Sequence, residues 1–122
     1  MNINKFIDAV ISKNREDLLT FFDKNAIIYW HVSNELFTVD EYIKVNCDYP
    51  GDYDKEIEII KETNDGYVVA LRVFDLENKK SHHVTSFIHL KDDKIIRLDE
   101  YWAEDSDSPG WRKQMHIGKK IL

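Results

Sequence analysis

Residues 81–103 read Ser81-His82-His83-Val84-Thr85-Ser86-Phe87-Ile88-His89-Leu90-Lys91-Asp92-Asp93-Lys94-Ile95-Ile96-Arg97-Leu98-Asp99-Glu100-Tyr101-Trp102-Ala103. Two runs rich in β-branched and aromatic residues flank Asp92-Asp93, so the stretch predicts an antiparallel hairpin with a two-residue turn. Alternate residues of a strand face opposite ways. In the second run Ile96, Leu98, Glu100 and Trp102 form the more apolar row, expected to face the interior, with Ile95, Arg97, Asp99 and Tyr101 on the other side. Pairing Lys91 with Lys94 and counting outward sets Phe87 opposite Leu98, Thr85 opposite Glu100 and His83 opposite Trp102. Cross-strand partners share a face, so His83, Thr85 and Phe87 are expected to join Glu100. A one-residue slip would exchange the two faces and bring in His82 instead of His83.

Working upstream, strands are expected at 67–76 and 55–63, joined by Asn64-Asp65-Gly66. A loop near 77–80 sets Arg72 opposite Thr85 and Phe74 opposite His83. The N-terminal half has helical periodicity instead. Ile3, Phe6, Ile7, Val10 and Ile11 make one stripe over residues 2–14. Asn14 suits the N-cap of a short second helix with Leu18, Leu19 and Phe22 as its apolar face. Thr38-Val39-Asp40-Glu41 reads as a capping box that starts a third helix through about Cys47, which Pro50 and Gly51 end. A first strand, Ala26–His31, lies between helices two and three. Helices first and strands later is the order of an α+β domain rather than of βαβ units. Residues 1–122 are expected to form one domain.

The chain has 122 residues, of which 43% are hydrophobic and 33% charged, with a net charge of -6. The acidic balance argues against a nucleic-acid partner, which needs a basic face for phosphates. No run approaches the ~20 apolar residues of a membrane span, and no signal-peptide pattern opens the chain, so a cytoplasmic protein is expected. The single cysteine, Cys47, forms no intrachain disulfide and reads as a small buried hydrophobe. No Cys/His set has zinc spacing, and His82 and His83 point to opposite faces of a strand, so no metal site is expected. Without a glycine-rich phosphate loop or a nucleophile elbow, no cofactor is expected either.

The candidate chemistry centres on Glu100, an ionisable residue in an apolar row. In a dry pocket its pKa would rise and it would serve as a general acid or base. The structural alternative is a partly buried glutamate paired with Arg72 or Thr85. His83 carries the same two readings: an imidazole that orients Glu100 or polarises a substrate, or a hydrogen-bonded half-buried histidine. Trp30, Arg72, Thr85, Phe87, Leu98 and Trp102 complete the expected pocket lining.

Several segments together carry a resemblance: Trp30-His31, Asn34-Glu35, Phe37-Thr38, Asn46-Cys47, Tyr49-Pro50-Gly51-Asp52, His83-Val84-Thr85-Ser86-Phe87, Lys94-Ile95, Glu100-Tyr101-Trp102 and Pro109-Gly110-Trp111-Arg112. Over nearly its whole length the chain resembles the SnoaL-like branch of the nuclear transport factor 2-like superfamily, and within it a small bacterial subgroup. The resemblance implies a cone-shaped α+β barrel, a curved antiparallel sheet wrapped around N-terminal helices, with a deep pocket and usually a homodimer. It places Glu100 where SnoaL-like cyclases keep an acidic acid/base residue. The chain departs from that pattern in having Glu rather than Asp, and Leu98 where the cyclases have a histidine.

Two function classes follow. One is a cofactor-free acid/base enzyme (isomerase, cyclase, dehydratase or hydrolase type) acting on a small apolar carbonyl or hydroxyl compound, with Glu100 and His83 as catalytic residues. The other is a non-catalytic ligand-binding or protein-interaction domain. A homodimer through Tyr101, Val84 and Ile88 is expected, as is a C-terminal tail anchored by Trp111, with Arg112 paired to Asp99 or Glu104.

Overall fold

A computed structural model describes residues 1–77 and 79–121. Helix α1 (Ile3–Ser12) is capped by the Asn2 side chain and buries Ile3, Phe6, Ile7 and Ala9. Helix α2 (Arg15–Phe21) is capped by Asn14, whose side chain accepts from the Asp17 amide, and buries Leu18; Leu19 is exposed, not part of the buried face. Strand β1 (Phe22–Trp30) runs directly out of α2. A short strand β2 (Glu35–Thr38), which the sequence pattern did not reveal, leads into α3 (Val39–Asp48). There the Thr38 hydroxyl accepts from the Glu41 amide and the Glu41 carboxylate accepts from the Thr38 amide, the reciprocal pair expected of a capping box.

Four long strands follow: β3 (Tyr53–Glu62), β4 (Gly66–Asp75), β5 (Ser81–Lys91) and β6 (Lys94–Glu104). The sheet order is β2-β1-β6-β5-β4-β3. Neighbours among β3 to β6 are antiparallel, but β1 lies parallel to β6, so the curved sheet is mixed rather than wholly antiparallel, and it does not close. This is the α+β cone expected from the sequence. The helices fill its concave side, where Leu18, Ile28, Ile95 and Leu98 have no exposed surface. Truncating any of them to alanine would cost about 2–5 kcal/mol.

Asp92 and Asp93 both adopt positive φ, 51° and 63°, the type I′ geometry of a two-residue hairpin, and Lys91 does face Lys94. Beyond the turn the simple count fails. Leu90 pairs with Ile95 and His89 with Arg97, which leaves Ile96 as an extra residue on β6. This β-bulge turns Ile95 inward and Ile96 outward, and shifts the pairing of β5 by one residue. Ile88, Ser86 and Val84 therefore stand opposite Leu98, Glu100 and Trp102. His83, Thr85 and Phe87 lie on the convex outer face, with Arg72, which pairs with His83.

The same shift buries Val84 and Ile88 in the core at 2% exposure each, so neither is available to an outer-face dimer contact. The tail also departs from expectation. Trp111, in the short helix α4 (Gly110–Lys113), is 63% exposed, with the Arg112 guanidinium 5.2 Å from its ring. Asp99 is already held by Arg97 and His31 and does not pair with Arg112.

Gly66, facing His89 across the β4–β5 ladder, has no room for a side chain: a Cβ there would lie 1.8 Å from the Ile88 carbonyl oxygen. That atom belongs to a strand backbone and cannot swing aside. Gly66→Ala is expected to lower stability by about 1–3 kcal/mol, whereas Gly110→Ala, with open space around it, should stay within about 0.5 kcal/mol. Urea unfolding of the two variants measures both; equal effects would contradict the packing at β4–β5.

Candidate functional site

Glu100 projects from β6 into the concave side and is 5% exposed. Its hydrogen bonds come from its three same-face neighbours in the sheet. Trp30, beside it on parallel β1, donates its indole Nε1–H to Oε1 at 3.1 Å. Trp102, two residues along β6, donates to the same oxygen at 3.5 Å. Ser86, directly opposite on β5, donates its hydroxyl to Oε2 at 2.6 Å. All three donors are neutral, and no cation of the described residues bonds the carboxylate. Burial pushes the Glu100 pKa up, and the bonds from Ser86, Trp30 and Trp102 pull it only part of the way back. The buried Tyr42 hydroxyl is pushed up as well, by burial first and then by the Glu100 charge.

The two indoles belong to the wall of a cavity of about 380 Å³. Val10 and Ile11 of α1, Val73 of β4 and Val32 give it an apolar lining. Lys13, Ser33, Glu35, Asn46, Tyr49, Tyr53 and His82 provide the polar part. A crevice of about 20 Å³ beside it reaches Glu100 and Ser86, and shares Val10, Ile11 and Trp102 with the larger cavity. The Lys13 ammonium, on the left-handed residue that ends α1, is tied to the Tyr49 and Gly51 carbonyl oxygens. One Asn46 N–H is donated to the Val10 carbonyl at 3.0 Å, and the half-buried Cys47 donates its thiol to the Lys13 carbonyl at 3.4 Å.

Of the residues expected in the pocket, the structure brings together Glu100, Trp30, Leu98 and Trp102 on the concave side. It does not bring His83, Arg72, Thr85 or Phe87 there, because of the bulge at Ile96. His83 sits on the outer face between Asp105 and Glu58, and its imidazole pKa is raised, chiefly by the hydrogen bond to Asp105. Arg72 contacts Glu56 at 3.4 Å on the same face. The histidine that does line the cavity is His82, and the hydroxyl beside Glu100 belongs to Ser86. His82 is the alternative that a one-residue slip brings in; nothing in the sequence singles out Ser86, because the bulge has no local mark. A short β-branched and aromatic run ending on Trp30 does signal a strand, but not that it would lie parallel to β6. Among the described residues no group of three or more His, Cys, Asp or Glu could hold a metal ion, and no helix is long and apolar enough to cross a membrane.

The helix-filled cone has the nuclear transport factor 2-like fold, as its likeness to solved structures shows. One provisionally named a ketosteroid isomerase, from Kribbella flavida, superposes with a TM-score of 0.81 at 16% identity, covering 98% of this chain and 87% of that one. A nuclear transport factor 2-like protein of unknown function from Burkholderia xenovorans gives 0.77 at 17% identity, over 98% and 92% of the two chains. One provisionally named a SnoaL-like polyketide cyclase, from Jannaschia, gives 0.70 at 14% identity, over 82% and 81%. No protein-family model and no curated protein matches the chain.

The raised Glu100 pKa has a stability consequence of definite sign. Between the ordinary glutamate value and the raised one, the folded chain holds a proton that the unfolded chain has released. The group therefore favours folding below that window and opposes it as pH rises through it. The stability of the wild type relative to Glu100→Gln should accordingly fall as pH rises through the window. Urea titrations of both proteins at a series of pH values check this; a difference that does not vary with pH would contradict a raised pKa.

Proposed function

We propose that the concave cavity binds a small, mostly apolar molecule and that Glu100 exchanges a proton with it, as in a cofactor-free acid/base enzyme. The observation that carries this reading is the buried carboxyl beside an apolar cavity, held by three neutral donors and, among the described residues, by no cation. Such a group sits closer to neutrality than a solvated glutamate, which suits it to both giving and taking a proton. The crevice beside Glu100 has room for a single water, and a proton would pass between Glu100 and a molecule in the cavity by that route. The enzymes among the structural neighbours support the class of reaction. One is provisionally named a ketosteroid isomerase and another is an epoxide hydrolase from M. tuberculosis.

A second reading, a binding domain without turnover, is favoured by one specific feature. Oε1 already accepts from both indoles, an arrangement that also suits a fixed structural carboxylate. Carboxyl-carbon NMR of Glu100 separates the readings at the first step. The proton-exchange reading expects a midpoint above that of a solvated glutamate, and an ordinary value would leave only binding. Mass spectrometry of compounds retained through purification then supplies the substrate. With it in hand, Glu100→Gln should reduce turnover by roughly 100-fold or more with the fold intact.

We also propose a homodimer through the outer face of the sheet, now resting on Phe87, Tyr101 and Ile59, which are 39%, 45% and 47% exposed. Phe87 and Tyr101 already form an edge-to-face pair at 6.1 Å, an apolar centre that a second copy would cover. Equilibrium sedimentation at micromolar concentration should give twice the chain mass, and Phe87→Glu should return it to the monomer. A monomeric wild type would remove the proposal.

A further inference from the structure

We propose that the molecule held in the concave cavity is a compact organic cation, a protonated or quaternary amine, whose positive charge completes the unpaired Glu100 carboxylate. This rests on the reading that the cavity binds a small molecule, and it goes beyond that reading by fixing the sign of the charge. A carbonyl or hydroxyl compound, the expectation from the sequence pattern, needs hydrogen-bond donors aimed into the cavity to hold its oxygen. The strongest donors on these walls are turned toward the protein instead. Both indole N–H groups go to Glu100. The Lys13 ammonium is held by the Tyr49 and Gly51 carbonyls. An Asn46 N–H goes to the Val10 carbonyl. His82, the second Asn46 N–H, the Ser33 hydroxyl and the Tyr49–Tyr53 hydroxyl pair remain as the weaker donors.

What the walls offer is aromatic surface and negative charge. Trp30 and Trp102 meet at 60° with centroids 6.5 Å apart, a corner of two indoles. Tryptophan is the best ring for binding a cation through its face. Glu100 accepts from both indoles of that corner and lines the crevice beside it, and Glu35 stands on the cavity wall. Against these two carboxylates stands one lining cation, Lys13, whose N–H groups are engaged by the Tyr49 and Gly51 carbonyls. A buried carboxylate without a counter-ion is costly to keep charged. A cation packed against the indoles repays that cost in a low-dielectric site, where charge–charge attraction is strong. A neutral molecule of the same shape does not.

Three probes of matched shape decide the matter: choline, its neutral carbon analogue 3,3-dimethyl-1-butanol, and the anion 3,3-dimethylbutanoate. Each is titrated into the full chain, following the indole N–H resonances of Trp30 and Trp102 by NMR. The expected result is that choline binds at least about tenfold more tightly than the neutral analogue, a difference of about 1.4 kcal/mol, and that the anion does not bind. Glu100→Gln should abolish the preference of choline over the neutral analogue. Trp102→Leu, at a half-buried site, serves as a second variant should Glu100→Gln fail to fold, and should also lose the preference. Equal or tighter binding of the neutral analogue or the anion would overturn the cation assignment and leave the small-molecule cavity standing. If none of the three probes shifts either indole, the cation assignment falls, while the small-molecule reading stands or falls on the compounds retained through purification.

Discussion

Everything at the concave side depends on the extra residue in β6. With Ile96 bulged outward, Ile95 and Leu98 both enter the core, and Ser86 rather than Thr85 comes to face Glu100. Without the bulge the side chains of β5 would exchange faces. The hydroxyl on Oε2 would be replaced by that of a threonine, and Val84 and Ile88 would be expelled from the core. The parallel pairing of β1 adds the second half of the constraint, because it alone sets Trp30 level with Glu100. Register and strand direction, rather than any single strong interaction, therefore build the site.

Two adjacent acids on β6 show what a face of a sheet does to chemistry. Asp99 and Glu100 are both nearly buried, at 7% and 5% exposure, yet they point to opposite sides. Asp99, outward, receives Arg97 at 2.8 Å and His31 at 2.7 Å, and the Arg97 guanidinium leads in holding its carboxyl below the ordinary range. Glu100, inward, receives only neutral donors and is pushed up by burial. Charge partners explain the first and desolvation the second. A pair of neighbours driven apart in this way leaves one fixed anion and one group able to change its charge.

Local signals in the sequence are legible because they act over a few residues. Asn14 and Thr38-Glu41 announce their helices, Asp92-Asp93 and Asp65-Gly66 announce their turns, and the four long strands fall within two residues of their expected ends. Leu98, Glu100 and Trp102 were placed on the correct face from alternation alone. What the sequence hid is set by tertiary pairing. A bulge changes the count by one without any local mark: Ile95-Ile96 looks the same whichever isoleucine turns inward. His83 and Thr85 looked like site residues on that uncorrected count, and His82 and Ser86 took their places. Trp111 invited burial as an isolated side chain, but the fold leaves most of it exposed, with Arg112 over its ring.

The arrangement around Glu100 also makes the protein its own optical instrument. Of the three tryptophans, two donate their indole hydrogens to one carboxylate and the third stands in water on the tail. Light absorbed by Trp30 or Trp102 excites a ring whose polar edge is in contact with the ionisable group, so its emission is expected to follow the proton on Glu100. Trp111, largely exposed on the tail, would supply a background set by the solvent and by Arg112.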